Sequence, residues 1–202
     1  MNNFPHIILK SKEEQEISQG FPWVFDNEIH SVKWNAKDGS GVKNTPLAEA
    51  QVQSGSPVEV YSNKGAFLGS GIFNKTSKIS IRFIGSDHAD QIMEDTASYW
   101  AKKVRDAVNI RGLNFTASQS CRLIFGEADF IPGLIVERYI DISEGKEKVY
   151  LVVQFLALAC EVFRKEILEA LKETCKPWGM YERSDAAVRE KEGLEQQSGW
   201  IG

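Results

Sequence analysis

Basic side chains without acidic neighbours mark one stretch in the first half of the sequence. No acidic residue lies between Glu59 and Asp87, while this interval contains Lys64, Lys75, Lys78 and Arg82. A local excess of positive charge attracts phosphate groups even when the whole chain is acidic. The stretch therefore predicts a phosphate-binding surface. The alternative is a solvated strand face with ordinary lysines.

The spacing of the apolar residues predicts which of these side chains face solvent. In residues 79–84, apolar side chains alternate with Ser80 and Arg82, which is typical of a strand with one buried face. The pattern therefore predicts that Arg82 and Lys78 point outward.

Further residues suited to RNA contact lie near the start of the chain. Lys10 and Lys12 follow the first strand-like run, and Trp23 and Phe25 follow a glycine and a proline. An aromatic ring on an RNA-binding surface can stack on a base. Either ring could do so here, and packing in the core is the alternative for both.

Two segments, 126–134 and 181–193, are dense in mixed charge. Their charged residues include Glu127, Asp129, Arg183, Asp185 and Arg189. One interpretation is an ion-pair network that fixes the domain, in which an acid of the first segment pairs with Arg183 or Arg189. The other is a polar surface that orients RNA or a neighbouring domain.

Other catalytic and cofactor motifs are weak. Gly69-Ser70-Gly71 begins like a glycine-rich loop, but a third glycine is missing and a turn rather than a helix follows, so a tightly curved strand is predicted. The three histidines show no metal-ligand spacing. The three cysteines contain no CxxC pair, which argues against a disulfide framework and a zinc ribbon, and Cys121 is expected to pack rather than react.

Composition fits a globular chain with one large or two small domains. It has 202 residues, 42% of them hydrophobic, and a net charge of −4. No apolar run approaches the roughly 20 residues that span a bilayer, and the N-terminus does not resemble a signal peptide. We expect a cytoplasmic protein that does not enter the membrane.

The elements that must position these residues change in character along the chain. Up to residue 86, short strand-like runs separated by turn signals predict a small β-rich domain, with a hairpin turn at 62–65 and a long loop over 35–56 that holds one short strand. From residue 87 to 202, a helix over about 90–112, three strands, a second helix and a further strand predict a compact α+β domain.

Several motifs together resemble one family. They are Gly20-Phe21-Pro22-Trp23-Val24-Phe25, Gly69-Ser70-Gly71-Ile72-Phe73-Asn74, Gly126-Glu127-Ala128-Asp129 with Pro132-Gly133-Leu134, and Tyr181-Glu182-Arg183-Ser184-Asp185. In this order they resemble the N-terminal half of the class I S-adenosylmethionine (SAM)-dependent methyltransferases that make 5-methylcytosine in 23S rRNA. The resemblance implies a PUA-like RNA-binding β-barrel at 1–86 and a central α+β domain at 87–202.

The family pattern also implies what this chain would lack. Phe21 stands where the family usually has histidine. The family's Rossmann-like methyltransferase domain, with its SAM loop and its nucleophilic cysteine, would begin just after Gly202, so we expect that domain to be absent here. On this basis the chain alone is not an enzyme and holds no cofactor, and SAM is bound by the parent enzyme.

The resulting expectation is an RNA-recognition region that positions 23S rRNA for a catalytic domain. Its expected RNA-binding residues are Lys10, Lys12, Trp23, Lys75, Lys78 and Arg82. A stand-alone RNA-binding adaptor and a protein-docking scaffold are the alternatives. The sequence leaves the oligomeric state open, with a homodimer as one option.

Overall fold

The computed structural model describes residues 4–35, 41–143 and 145–202. The chain divides into two units, Met1–Glu94 and Asp95–Gly202. Short strands dominate the first unit. The elements of the first unit are β1 (His6–Leu9), α1 (Glu14–Ser18), β2 (Trp23–Phe25), β3 (Ile29–Asn35), β4 (Val42–Thr45), β5 (Pro57–Tyr61), β6 (Phe67–Phe73), β7 (Ile79–Gly85) and α2 (Ala89–Glu94).

The strands of the first unit form a seven-stranded sheet in the order β2-β7-β6-β5-β1-β3-β4. Only β1 and β5 run parallel, and the other neighbouring strands are antiparallel. Val24 of the edge strand β2 and Val32 of β3 belong to the same buried core. The sheet must therefore curl around that core, since strands near its two edges contribute to it.

Close strand approach explains the glycines of β6. A β-carbon on Gly71 would lie 2.7 Å from the carbonyl oxygen of Arg82 on β7, and Gly69 has a φ of +142°. The Gly69-Ser70-Gly71 run thus lies inside a strand, as predicted. The hairpin turn at 62–65 is also confirmed, with Gly65 at a φ of +84° and its N–H donating to the Ser62 carbonyl oxygen at 2.9 Å.

Two local predictions fail. The short strand expected inside the 35–56 loop lies at Val42–Thr45 rather than near Ala50, and part of that loop lies outside the described residues. The helix expected over 90–112 is split at Asp95 into α2 and α3 (Thr96–Gly112). Asp95 caps α3 by accepting a hydrogen bond from the Ser98 N–H at 3.0 Å, which starts a new helix there.

The second unit places helices on one face of a mixed sheet. Besides α3, its elements are β8 (Cys121–Phe125), β9 (Leu134–Ser143), β10 (Lys146–Phe155), α4 (Leu158–Glu161), α5 (Arg164–Cys175), β11 (Gly179–Ser184), α6 (Val188–Lys191) and β12 (Gln197–Ile201). The sheet order is β12-β11-β10-β9-β8. β10 and β11 are parallel and are joined through α4 and α5, so the unit contains a βαβ crossover that the α+β prediction did not include.

Candidate nucleic-acid interface

The turn at Asp26–Glu28 brings Lys10 and Lys78 to the same part of the first unit. The Lys10 ammonium donates to the Asn27 carbonyl oxygen at 2.5 Å, and the Lys10 N–H donates to the Glu28 carbonyl oxygen at 2.8 Å. The Asp26 N–H donates to the Lys78 carbonyl oxygen at 3.1 Å. The side chains of Lys10 and Lys78 are both exposed. The fold therefore joins lysines that are far apart in the sequence.

Lys75 lies with Lys78 in the turn between β6 and β7, and its side chain is exposed. The Lys75 N–H donates to the Ser54 hydroxyl oxygen at 2.9 Å, which ties this turn to the segment before β5. The exposed Lys12 has a φ of +80° just before α1. These lysines are accessible to a phosphate backbone.

Arg82 departs from the sequence-based prediction. Its residue is only 8% exposed, so the prediction that it points outward into solvent is wrong. The physical reason is that β2 pairs with β7 and sets Trp23 opposite Arg82, whose guanidinium carbon lies 5.3 Å from the centre of the Trp23 ring. Arg82 therefore stabilises the Trp23 ring by a cation–π contact, and its charge is not exposed to solvent.

Three aromatic rings beside these lysines form one cluster. The Phe21 and Trp23 ring centres are 5.5 Å apart, and the Trp23 and Phe25 centres are 6.5 Å apart. Val24 is fully buried in the core between them, while both neighbours stay half-exposed. Because side chains alternate along a strand, Trp23 and Phe25 lie on the side away from the core. Neither the Trp23 ring nor the Phe25 ring therefore packs in the core.

A cleft of about 120 Å³ opens beside this cluster. Phe21, Trp23, Lys12 and α1 line it, together with carboxylates that the sequence analysis missed: Glu13, Glu16 and Glu28. Burial raises the pKa of Glu28, whose carboxylate accepts a hydrogen bond from the Phe25 N–H at 2.8 Å. An aromatic wall, carboxylate acceptors and a lysine can together hold a base, its exocyclic amino group and a phosphate.

The charged segments of the second unit do not form the predicted pairs through Asp129 and Arg189. Asp129 binds Arg111 at 2.5 Å and accepts from the Phe125 N–H at 2.6 Å. Arg183 and Asp185 are exposed, with 3.8 Å between their nearest charged atoms. Glu127 is half-buried in the turn after β8. The ion-pair prediction therefore needs correction, because nearer partners within the fold take Asp129.

Arg189 belongs instead to a buried polar network. It is 2% exposed and donates to the Phe155 carbonyl oxygen, to Glu161 at 2.9 Å and to the Glu195 carbonyl oxygen at 2.7 Å. Arg164 links this network to the buried Glu182, at 2.9 Å, and to Glu161, at 3.1 Å. These groups hold α4 and α5 against the ends of β10 and β11. Sequence spacing gave no signal for them because the partners come from different elements.

A second missed cluster surrounds the fully buried Glu59 on β5. Its carboxylate accepts a hydrogen bond from the Tyr61 hydroxyl at 2.7 Å and from the Ala89 N–H at 3.1 Å. The ring of His88 lies 2.9 Å from one oxygen, and that of His6 lies 3.5 Å from the other. Within the described ranges, no three His, Cys, Asp or Glu residues form a group that could hold a metal ion. The contacts of Ala89 and His88 with Glu59 anchor the start of α2 to β5.

This anchor predicts a pH effect on stability. Burial lowers the pKa of His6 from its ordinary value of 6.5, although the Glu59 charge opposes the shift. The unfolded chain therefore takes up this proton at higher pH than the folded chain does, so stability is lost as pH falls below about 6.5. We expect His6→Gln to reduce the difference in unfolding midpoint between about pH 7.5 and about pH 5. Chemical denaturation at both pH values checks this. An identical difference in both proteins would contradict it.

The cysteines show no sign of a nucleophile. All three are free thiols, and burial raises the pKa of Cys160 to about 12 and that of Cys175 to about 11. Cys121 is half-buried and lies 3.5 Å from Arg138. Reaction requires the thiolate, which is disfavoured in both buried thiols.

Across the described part of the chain, no helix is both long enough and apolar enough to span a bilayer.

Comparison with known proteins finds one matching domain and several relatives that are longer than this chain. Residues 7–85 match the PUA-like domain. Over 96% of its length the chain is similar to ribosomal RNA large subunit methyltransferase I, with 29% identity to that of Tolumonas auensis and 31% to that of Photobacterium profundum. The chain spans 43% of the length of each of these relatives.

Two solved structures share the fold. A SAM-dependent methyltransferase from Streptococcus mutans aligns with a TM-score of 0.65 and 14% identity, covering 98% of this chain and 43% of its own. A methyltransferase solved as a complex with SAH aligns with a TM-score of 0.63 and 14% identity, covering 88% of this chain and 40% of its own. At this identity the similarity concerns the fold.

These matches overturn the expectation that a Rossmann-like methyltransferase domain is absent. That prediction is wrong, because the similarity to methyltransferases covers 96% and 98% of the chain and so takes in both units. The expectation rested on the family pattern, which places that domain just after Gly202. The structure contains a parallel βαβ crossover, formed by β10, α4, α5 and β11.

The expectation that this chain holds no cofactor receives no support either, since one matched structure contains SAH. The described strand-to-helix turns do not carry a pair of glycines: α4 follows β10 after Leu156 and Ala157, and β7 ends in the single Gly85. We therefore assign none of these residues to SAM. Residues 7–85 carry a PUA-like domain, and nearly the whole chain is similar to part of the large-subunit rRNA methyltransferases.

Proposed function

We propose that this chain is the RNA-recognition part of a SAM-dependent methyltransferase of large-subunit rRNA, acting in the cytoplasm. The observation that carries the proposal is that Lys12 and the half-exposed Trp23 line one cleft with Glu28, while the exposed Lys10 and Lys78 adjoin the turn that contains Glu28. The PUA-like match over residues 7–85 and the rRNA methyltransferase relatives support it. The finer expectation is 23S rRNA that receives a 5-methylcytosine.

The lysines would bind the phosphate backbone. Their ammonium groups lie on exposed turns and can approach RNA without rearrangement of the sheet. Lysine acts as a point charge toward phosphate, so this part of the binding carries little sequence information and depends on salt. It would set the orientation of the RNA on the first unit.

The aromatic cleft would hold an unpaired base. Trp23 is held between Phe21, Phe25 and the Arg82 guanidinium, so its ring is fixed before RNA arrives. A base stacked on it would direct an exocyclic amino group toward Glu16 or Glu28, whose oxygens accept hydrogen bonds. The second unit would position the RNA through its exposed polar residues Arg183 and Asp185.

Chemistry on the base is part of the same proposal. In a SAM-dependent enzyme the bound cofactor supplies the methyl group. The residues of this chain would bind the RNA, fix its register and hold one base apart from its neighbours. We assign the RNA-binding role to the β-rich domain of residues 1–86 and the positioning of the RNA to the α+β domain of residues 87–202.

Removal of three lysines tests the phosphate contacts. We expect Lys12→Ala, Lys75→Ala and Lys78→Ala combined to weaken binding of a structured 23S rRNA fragment on the order of 30-fold in low salt. The matched control removes three exposed lysines of the second unit, Lys102, Lys165 and Lys191, so the net charge changes equally. Fluorescence anisotropy measures both affinities. Equal losses in the two triple variants would refute a defined surface on the first unit.

A further inference from the structure

One face of the sheet in the second unit presents aromatic rings to solvent. Side chains on β9, β10 and β11 alternate between a buried side, which includes Val136, Leu151 and Met180, and the opposite side. On that opposite side lie Tyr139, Tyr150, Tyr181 and Trp200, which we call the aromatic face. Pairing brings them together, because Tyr139 is opposite Tyr150 and Tyr181 is opposite Trp200.

Two rings of the aromatic face are exposed, and one of them, Trp200, contacts the half-buried Tyr150 and Tyr181. Trp200 is 70% exposed and Tyr139 is 48% exposed. The Trp200 ring centre lies 5.4 Å from that of Tyr181 and 6.3 Å from that of Tyr150, both in edge-on geometry. Gly179 makes room for this arrangement, since a β-carbon there would lie 3.1 Å from a Trp200 ring carbon and 3.3 Å from a Tyr150 ring carbon.

The residues around these rings are mainly polar and include cations as well as the acids Glu137 and Asp141. Arg183 lies two residues after Tyr181 on β11, on the same side of the sheet, and is exposed. Lys148 precedes Tyr150 on β10 and places its ammonium 4.8 Å from the ring centre of the exposed Trp178. Arg122, at the other edge, lies on the same side, 2.8 Å from Glu137.

We propose that the aromatic face binds single-stranded RNA by stacking its bases. Exposed rings on neighbouring strands of an open sheet are the arrangement by which sheets stack successive bases, and rings are separated by the strand spacing of about 4.8 Å. Arg183 and Lys148 at the rim complement the phosphates. A large apolar protein partner fits less well. Among the outward-facing residues of β9 and β10, the only aliphatic side chains are Val152 and Ile135.

This inference rests on the proposed function in one respect, that the chain acts on RNA. It adds a second contact surface and a ligand class, unpaired rather than duplex RNA. Stacking needs exposed base faces, which a duplex conceals. The aromatic face should therefore distinguish the two forms of RNA, while lysine contacts to phosphate should not.

The test compares a ten-nucleotide oligouridine with a blunt RNA duplex. We expect Trp200→Ala combined with Tyr139→Ala to weaken oligouridine binding about 100-fold, near tenfold for each ring, and to leave duplex binding unchanged. Trp200→Phe should restore most of the loss at that position. The matched control is Phe130→Ala, which removes a 73% exposed ring of the same unit outside the aromatic face. Circular dichroism checks folding of every variant.

The outcomes separate the two proposals. Unchanged oligouridine binding in the double variant overturns the aromatic-face proposal, and a loss of self-association in place of RNA binding does so too, since it assigns the face to a protein partner. If the lysine variant described above loses RNA while the double variant does not, the first-unit surface stands alone. If only the double variant loses RNA, the aromatic face stands and the first-unit surface fails.

Discussion

Replacement of Arg189 by alanine is expected to lower the free energy of unfolding of the second unit by about 3 kcal/mol. The guanidinium is buried and donates to two carbonyl oxygens and to Glu161. Its loss leaves these acceptors without their donor in a region that excludes water. Removal of one partner from a buried polar network costs far more than the net stability that the network provides.

Arg183 offers the matched control because it lies in the same segment with the opposite burial. Its side chain is 66% exposed, and its ion pair with Asp185 spans 3.8 Å. We expect Arg183→Ala to change stability by less than about 0.5 kcal/mol. Urea unfolding monitored by tryptophan fluorescence gives both values. Equal effects of the two substitutions would show that the network around Arg189 is not a stabilising feature.

Gly133→Ala is the second substitution with a large expected effect. Gly133 has a φ of +75°, and a β-carbon there would overlap the side chain of Ala157 and lie 2.8 Å from its backbone nitrogen. Strain in the left-handed region and overpacking against a backbone atom together predict a loss of about 3 kcal/mol. The Leu156 N–H also donates to the Gly133 carbonyl oxygen at 2.9 Å, so the strain would reach the crossover after β10.

A second glycine of the same unit should respond in the opposite direction. Gly112 ends α3, and no atom lies within 4 Å of a β-carbon built there. Gly112→Ala should therefore raise the helix propensity without a clash and stabilise the unit by about 0.5 kcal/mol. Thermal unfolding measures both variants. A stable Gly133→Ala protein would mean that the turn and Ala157 move apart at little cost.

Local sequence patterns predicted the strands better than the surfaces that the strands create. Alternation in 79–84 correctly indicated a strand, yet it placed Arg82 in solvent. The pattern describes one strand and cannot show that β2 adds Trp23 over the same side. A similar limit hid β12, whose polar sequence forms a strand because β11 offers it an unpaired edge.

Charge patterns had the same limitation for the candidate site. The stretch without acids between Glu59 and Asp87 predicted a cationic surface, but the fold brings Glu16 and Glu28 beside Lys12. These acids and Lys12 lie outside that stretch of the sequence, so a count confined to residues 59–87 does not include them. The site consequently combines lysines for phosphate with carboxylates that accept hydrogen bonds, which is a more selective chemistry than the sequence indicated.

The salt dependence of RNA binding tests the central claim most directly. The affinity of the chain for a structured 23S rRNA fragment should fall linearly as salt rises on logarithmic axes. The slope should become shallower by about 2 in the Lys12, Lys75 and Lys78 triple-alanine variant, since each lost contact to unpaired RNA contributes about 0.7. The second-unit lysine control should keep the slope of the unsubstituted chain. An affinity that does not respond to salt, or equal slopes in all three proteins, would contradict RNA recognition by the first unit.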